Sequence, residues 1–555
     1  MVERLELIPL GGLGEFGMNC AALRCNGDMV LIDAGMTLPG RHLGTSLGVD
    51  LIVPDITFLK EYRDQLRAIV LTHGHEDHSG GIAYIINEIS VPIYGSRLAL
   101  GLMSSRLRER KLASKAELHV LEARKPVNLG AFTIEALNAT HSFPENFSLG
   151  IKTPVGAVIW TGDFKFDQTP IDRRLSDLAR LSEYGNEGVL ALFSDSTNSD
   201  VPGLSPSEFS VIGPLRTLFH EAQRKIVLSC FASSFHRIQI VFDLAKEFDR
   251  KIFPMGRSMT SNIKQASKLG YLRVPEGQIA TTEDLRQLPP EQIVLLATGS
   301  QGEPMSALSR LAVNEFSQVQ VEKGDVVILS ARIIPGNEKL ISNLVNYFYR
   351  REATLFDSRH SNVHVSGHGF REDLKLMINL TRPKYFVPIH GEYRQLKNHA
   401  LLALDQGIPQ DHIHIVENGE ILGLAPSGAK LLDTIPVGRR FIDEGILEAV
   451  HEVVLRDRRY LSADGVLVVV LRMDGMSGEL IGEPDLISRG FVLMGDSEEL
   501  MELTRQRIAT IVSETALEEK RDEDLFREIL HNGLRRFLRK QTGKRPLILP
   551  VTIKI

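Results

Sequence analysis

Cysteine is scarce. The 555 residues include three, Cys20, Cys25 and Cys230. An odd trio in so long a chain excludes a disulfide framework and favours a reducing compartment, the cytoplasm. Long apolar runs are missing too. The longest unbroken aliphatic stretch, residues 466–471, falls far short of the ~20 residues a membrane span needs, so no membrane partner is expected. The first twelve residues mix charged and apolar side chains without an h-region, so no secretory signal is expected. Positive charge is not in excess: 64 Lys and Arg stand against 70 Asp and Glu, a net charge of −6. No global field advertises a polyanionic partner. Internal repeats and low-complexity segments are absent. What remains, 43% apolar and 24% charged residues, is the balance of an ordinary folded protein, and the length suggests two to four domains.

The first ~200 residues read as short strands and Gly-rich turns interrupted by helices. The stretch 5–10 alternates and runs into a Gly-rich turn, and the apolar stretches at 29–33, 68–72, 157–161 and 190–194 each end on a polar residue. Side chains just past strand ends face a crevice in layered α/β folds. From about Ser205 the pattern changes to longer alternating helices and strands: a helix at 206–224, strands at 225–229, 292–297 and 325–329, and a helix at 338–349. This predicts a parallel α/β block. Near Lys384 the first pattern returns, and the strand before His390-Gly391 resembles the one before His73-Gly74. One domain interrupted by an insertion is the simplest arrangement. After 450–462 a small α/β tail is expected, with strands at 466–472 and 547–553 and helices at about 498–515 and 523–540.

The strongest chemical signal is residues 72–81, where His73, His75, Asp77 and His78 fall within six positions directly after a strand. Imidazole is the commonest transition-metal ligand, and carboxylate joins it readily. His73 and His75 can point one way from an extended turn, while Asp77 and His78 open the next helix. One loop can therefore serve two metals, each of which needs further ligands. Candidates at other strand ends are His141, Asp163 and His390, which complete two sites if Asp163 bridges.

These residues resemble a known group. HxHxDH, a later single His, Gly162-Asp163 and a distant His-Gly are similar to the ligand set of the metallo-β-lactamase fold. The long insertion, Asp195 in Ser-Asp-Ser-Thr, and His368 lying 22 residues before His390 resemble its nucleic-acid-processing β-CASP branch. The segments 9–19, 72–78, 162–165, 364–369 and 388–393 resemble the ribonuclease J family, and the resemblance spans essentially the whole chain.

The resemblance implies an α/β fold: a metallo-β-lactamase αββα sandwich (1–205 and 371–450) interrupted by an α/β β-CASP domain (206–370), then a linker (451–462) and a small C-terminal α/β domain (463–555). It implies one metal on His73, His75, His141 and Asp163 and another on Asp77, His78, Asp163 and His390. Zinc is the first choice, with manganese or magnesium as alternatives. Asp33 is expected to orient the ligand loop, and Asp195 to do the same or else to cap a turn. His368 would contact the scissile phosphate or protonate the leaving oxygen. Ser233, Ser234, His364, Val365, Ser366, Gly367 and His368 would form a pocket for a 5′-monophosphate. Gly48, Asp50 and Asp443 resemble a third, structural cation site for calcium or manganese; the other reading is ordinary surface carboxylates. The implied activity is metal-dependent hydrolysis of single-stranded RNA, 5′ to 3′ with some internal cleavage, in RNA maturation and mRNA decay. The implied assembly is a homodimer or homotetramer, with other RNA-decay proteins as further partners. A β-CASP nuclease acting on DNA and a small-molecule metallo-hydrolase are the alternatives.

Charge is uneven at the C-terminus. Residues 531–555 carry seven basic and no acidic side chains, whereas 497–528 carry ten acidic against five basic. Two readings stand: an amphipathic helix with solvated faces and a basic end strand, or a local anchor for phosphate or for a partner chain.

Overall fold

The computed structural model describes residues 4–39, 48–303, 305–334, 336–443, 448–450, 452–492 and 498–555. Cα packing divides the chain into two compact units, Met1–Leu38 with Ile52–Arg440 and Pro39–Leu51 with Phe441–Ile555.

The larger unit begins with β1 (Leu5–Gly11), β2 (Cys20–Cys25), β3 (Asp28–Ile32), β4 (Leu66–Val70), β5 (Ile93–Gly95) and β6 (Leu118–Val120), then β7 (Val127–Leu129), β8 (Phe132–Asn138), β9 (Phe147–Thr153), β10 (Gly156–Trp160) and β11 (Val189–Asp195). An insertion follows with β12 (Ile226–Ser229), β13 (Lys251–Met255), β14 (Ile293–Ala297), β15 (Val326–Leu329) and β16 (Thr354–Phe356). After it come β17 (Tyr385–Ile389), β18 (Glu420–Ala425) and β19 (Gly428–Thr434). These strands build an eight-stranded sheet, β19-β18-β1-β2-β3-β4-β5-β6, and a six-stranded sheet, β17-β11-β10-β9-β8-β7.

Side chains alternate between the faces of a strand. Leu5 and Leu7, Val30 and Ile32, Phe147, Leu149 and Ile151, and Val158 and Trp160 accordingly meet in one core between the two sheets. On the second sheet's other face, Ile159, Leu192 and Phe386 pack on Leu181 and Tyr184 of helix Leu178–Glu187 and on Leu374, Met377 and Ile378 of helix Arg371–Thr381. Helix Arg97–Glu109 packs along β5 and β6. The result is an αββα sandwich.

The insertion is a wholly parallel sheet, β13-β14-β12-β15-β16. Its strands are continuous apolar runs because both faces are covered. Leu228, Leu296 and Ile328 face one core; Val227, Leu295 and Val327 face the other. The helix expected at 206–224 is shorter, a 3₁₀ turn Glu208–Val211 leading into Ile212–Glu221. The chain then returns to the sandwich. β17 pairs in parallel with β11, Asp195 opposite Ile389. This one pairing sets His390 beside Asp195.

The smaller unit contains β20 (Val466–Met473), β21 (Asp485–Arg489) and β22 (Leu547–Lys554) in the order β21-β20-β22, with helices Glu452–Asp464, Glu498–Glu514 and Glu523–Thr542. Leu467, Val469, Leu471 and Ile548 pack on Ile508, Leu530, Leu534 and Leu538. The stretch 451–462, expected as a linker, is helical from Glu452 to Asp464, with Leu455 buried. The three cysteines are buried and none is joined in a disulfide. Among the described residues, no helix is long and apolar enough to cross a membrane.

Candidate metal centre

Six strands deliver chemistry at their C-terminal ends. β3 runs into Asp33, β4 into His73 and His75, β8 into His141, β10 into Asp163, β11 ends on Asp195, and β17 runs into His390. A short helix, α1 (Glu76–Ser79), starts at once after His75. It carries Asp77 and His78 away from the direction His75 takes. The turn that makes this possible is tight: a Cβ on Gly35 would lie 1.7 Å from the Asp77 carbonyl oxygen.

The seven expected metal ligands converge around Asp163. His73 Nε2 and His141 Nε2 lie 3.7 and 3.6 Å from Asp163 Oδ2. His75 Nδ1 is 3.0 Å from His73 Nε2 and 3.2 Å from His141 Nε2. On the other side, His78 Nε2 and His390 Nε2 are 3.3 and 3.4 Å from Asp163 Oδ1. Asp77 Oδ2 lies 3.8 Å from His78 Nε2 and 3.6 Å from His390 Nε2. One carboxylate thus turns one oxygen to each of two donor sets.

The remaining ring nitrogens are fixed. Asp33 accepts from His78 Nδ1 at 2.8 Å and from the Thr72 hydroxyl at 2.9 Å, and that hydroxyl meets His73 Nδ1 at 3.1 Å. Asp195 accepts from His368 Nδ1 at 2.8 Å and from the Thr197 hydroxyl at 2.7 Å, and that hydroxyl meets His390 Nδ1 at 2.7 Å. His141 Nδ1 donates to the Gly367 carbonyl at 2.7 Å. For His73, His78, His141 and His390, a donor Nδ1 leaves the lone pair of Nε2 to turn inward. Asp33 and His390 adopt left-handed backbone conformations, φ 60° and 54°, which cost on the order of 1–2 kcal/mol each for a side-chain-bearing residue.

Electrostatics divide the cluster. Burial, reinforced by neighbouring histidines, holds His73 well below the usual imidazole range. Burial likewise pushes His75 down to about 4 and His141 well down, against the pull of nearby carboxylates. These rings are neutral and ligand-ready. Burial opposes protonation of His78, His368 and His390 too, but the surrounding carboxylates outweigh it and raise all three. Asp163 and Asp195 are buried, with Asp33 beside them. That many carboxylates in one crevice calls for positive charge. Asp163 Oδ1 and His390 Nε2 are moreover buried without a hydrogen-bond partner. Orphaned acceptors, neutral imidazoles and a shared carboxylate are the donor set a divalent transition metal takes.

Known proteins agree with this architecture. Family models match in succession: the metallo-beta-lactamase superfamily over residues 13–171, the ribonuclease J beta-CASP domain over 223–348, the Zn-dependent metallo-hydrolase RNA specificity domain over 358–415, and the ribonuclease J C-terminal domain over 453–555. Ribonuclease J2 of Bacillus subtilis is 35% identical over 553 residues, 100% of this chain and 99% of its own length. Ribonuclease J of Thermus thermophilus is 38% identical, covering 100% of this chain and 96% of its own. The chain belongs to the ribonuclease J family. It is a metal-dependent ribonuclease, and its crevice binds divalent metal. Among solved structures, a protein of unknown function from Enterococcus faecalis V583 superposes with a TM-score of 0.53 at 15% identity, over 76% of this chain and 100% of that one. That likeness concerns the fold alone.

The other residues expected from ribonuclease J are placed as follows. Helix α2 (Phe235–Glu247) starts after Ser233 and Ser234, both half-buried. Ser234 stands at the cap position without a side-chain capping bond, so its hydroxyl is not spent on the helix. Arg237 of α2 donates to the Val363 carbonyl at 2.7 Å, and Phe235 shares a core with Val363 and Val365. The loop 363–368 is thereby fastened to α2. Val365 points into that core, so only its backbone is open to a ligand. Ser366 Oγ accepts from Asn198 Nδ2 at 2.9 Å and from the His368 amide at 3.1 Å, which leaves its own proton to donate. Burial, helped by Arg237, pushes His364 down to about 3, so it would meet a phosphate as a neutral donor. A Cβ on Gly367 would lie 2.7 Å from the His141 ring; only glycine lets the loop approach that closely.

Asp195 holds His368 directly and, through Thr197, His390. At the expected third cation site the Gly48 carbonyl accepts from Arg458 Nη1 at 2.9 Å. Sequence reasoning missed Thr72, Thr197, Asn198, Arg237 and Arg332, whose Nη1 bonds Asn198 Oδ1 at 2.5 Å. None of these carries a spacing signal.

Proposed function

We propose that this ribonuclease degrades single-stranded RNA in the cytoplasm from the 5′ end, selects 5′-monophosphate ends, and also cuts internally. The observation that carries this reading is the double tether of loop 363–368. It is bonded to the metal-binding cluster through Gly367 and His368 and to α2 through Val363. A terminal phosphate bound by Ser233, Ser234, His364 and Ser366 would sit at a constant distance from the cluster, and that distance would select the bond to be cut.

His73, His75, His141 and Asp163 would hold one divalent cation and Asp77, His78, Asp163 and His390 a second, with zinc suiting the nitrogen-rich donors and manganese or magnesium the alternatives. Such a pair, when bound, acidifies a water and neutralises charge on the scissile phosphate. The chain's own groups do the rest. Asp33 fixes the tautomers of His73 and His78. Asp195 keeps His368 oriented and raises its affinity for a proton. His368 Nε2, 3.8 Å from Asp163 Oδ2, faces the reacting phosphate and would protonate the leaving oxygen.

Single-turnover hydrolysis of one RNA bearing a 5′-monophosphate, hydroxyl or triphosphate tests the reading. A hydroxyl end leaves the pocket's donors unpaired, at about 1–3 kcal/mol per buried group, and a triphosphate overfills it. The expected order is monophosphate, hydroxyl, triphosphate, flattened in Ser233→Ala. Equal wild-type rates on all three ends would remove the case for a directional exonuclease.

Self-association to a dimer or tetramer through the smaller unit is part of the same reading. β22 is an edge strand, and Leu549, Val551, Ile553 and Ile487 are exposed on the sheet face opposite the core. Such a face is an interaction surface unless something covers it.

A further inference from the structure

The basic C-terminal segment finds no role in the metal centre or the phosphate pocket. In the smaller unit it forms the second half of a twenty-residue helix. With Glu452–Asp464 as α3 and Glu498–Glu514 as α4, this helix is α5 (Glu523–Thr542). Its buried stripe, Phe526, Leu530, Leu534 and Leu538, packs on the sheet. Arg535, Arg536, Arg539 and Lys540 occupy the opposite, exposed face at helical spacing.

The two halves of α5 treat their charges differently. Near its start, Arg527 closes on Glu523 at 2.6 Å, as Arg106, Arg180 and Arg216 close on carboxylates elsewhere. Arg535, Arg536, Arg539 and Lys540 form no ion pair among the described residues, and no acidic residue follows position 528 to supply one. Favourable interaction with the helix dipole accounts for cations in the last turn only; it explains Arg539 and Lys540 but not Arg535 and Arg536. A second feature lies beside the stripe. The Arg535 guanidinium stands 5.9 Å over the Tyr460 ring of α3, and its Nη2 reaches the Tyr460 hydroxyl at 3.3 Å. Arg456 and Arg459 project from the same helix, exposed. Arg456 lies 3.7 Å from Asp457, whereas Arg535, Arg536, Arg539 and Lys540 stay without a carboxylate among the described residues; such cations, one of them at an aromatic ring, are what single-stranded nucleic acid binds, through phosphate contacts and base stacking.

We infer that the solvent face of α5, with Tyr460, is a second RNA-binding surface that grips the body of a long single-stranded RNA through its phosphates, without sequence preference. The inference rests on the ribonuclease reading and adds to it a site remote in sequence from every metal ligand. Its consequence is a dependence on RNA length and on salt that the metal centre alone would not produce.

The experiment uses the full-length, metal-loaded enzyme and two 5′-monophosphorylated RNAs, one of about 30 nucleotides and one of about 5. The probe is kcat/KM against salt concentration for wild type, for Arg535→Gln/Arg536→Gln/Arg539→Gln/Lys540→Gln, for Arg535→Lys/Arg536→Lys/Arg539→Lys, and for Tyr460→Ala. Each phosphate contact contributes roughly 0.7 to the log–log salt slope for single strands. The glutamine variant should therefore lose up to about 3 from the slope on the long RNA and at least about tenfold in kcat/KM, with the short RNA unaffected. The lysine variant should keep the slope. Tyr460→Ala should weaken the long RNA about fivefold or more with a smaller change in slope. An unchanged slope in the glutamine variant overturns the inference. So does an equal loss on the short RNA, which would make the face structural, or a fall in solution mass that accounts for the loss, which would make it a contact between copies. If wild type hydrolyses neither RNA, the ribonuclease reading itself fails, and that outcome is distinct from all of these.

Discussion

Two carboxylates organise the crevice by the same device and from different distances. Asp33 bonds His78 directly and His73 through Thr72. Asp195 bonds His368 directly and His390 through Thr197. The first relay closes within positions 33–78. The second joins positions 195 and 197 to 368 and 390, across the whole insertion. The first serves ligands only. On the proposed reading, the second serves one ligand and one histidine that would face the reacting phosphate. Ligand geometry can therefore be set by a local turn, whereas alignment of the acid with the metals requires the inserted domain to be in place.

The largest effect should come from the residue both halves share. Asp163→Ala should abolish hydrolysis and release metal from both donor sets in a folded protein, checked by elemental analysis and circular dichroism. Unchanged turnover would break the assignment of a shared bridging carboxylate.

Next comes the contrast between the two relays. Asp195→Asn should lower single-turnover hydrolysis by about 10²–10⁴-fold, the usual worth of a general acid, with most of the metal retained. Asp33→Asn should instead weaken metal binding about 10–100-fold, and added metal should restore its activity. If metal rescues Asp195→Asn and not Asp33→Asn, the division of labour is reversed.

The smallest effects belong to the relaying hydroxyls. Thr72→Val and Thr197→Val each remove one hydrogen bond, worth about 0.5–1.5 kcal/mol, so a change of roughly twofold to twelvefold follows. Thr72→Val should appear in metal affinity and Thr197→Val mainly in kcat at saturating metal. Identical profiles would show that the two relays are not distinct.

The strands of the interrupted domain and the parallel insertion were legible in the sequence because each rests on short-range order, the sandwich was implied by the resemblance, and the expected ligand residues do come together around Asp163. Alternating or continuous apolar runs specify the strands, and His73, His75, Asp77 and His78 lie within six residues, so one turn sets their directions. The helix at Glu452–Asp464 was missed where a linker was expected, although Leu455 turns inward from its charged surroundings. The partners of Asp195 were not legible for a different reason. Its partners depend on β17 pairing with β11 after an excursion of nearly two hundred residues, and on Gly367 allowing its loop to touch His141.

The amino-acid order by itself determined which elements form and which side chains are chemically able to hold a metal, since backbone period and ligand type are local properties. Only the tertiary structure decided which nitrogen faces inward, which carboxylate orients His368, that Arg237 ties loop 363–368 to α2, and that Arg535 meets Tyr460. Those outcomes depend on distances between segments far apart in the chain, and such distances exist only once the sheets have paired and their cores have closed.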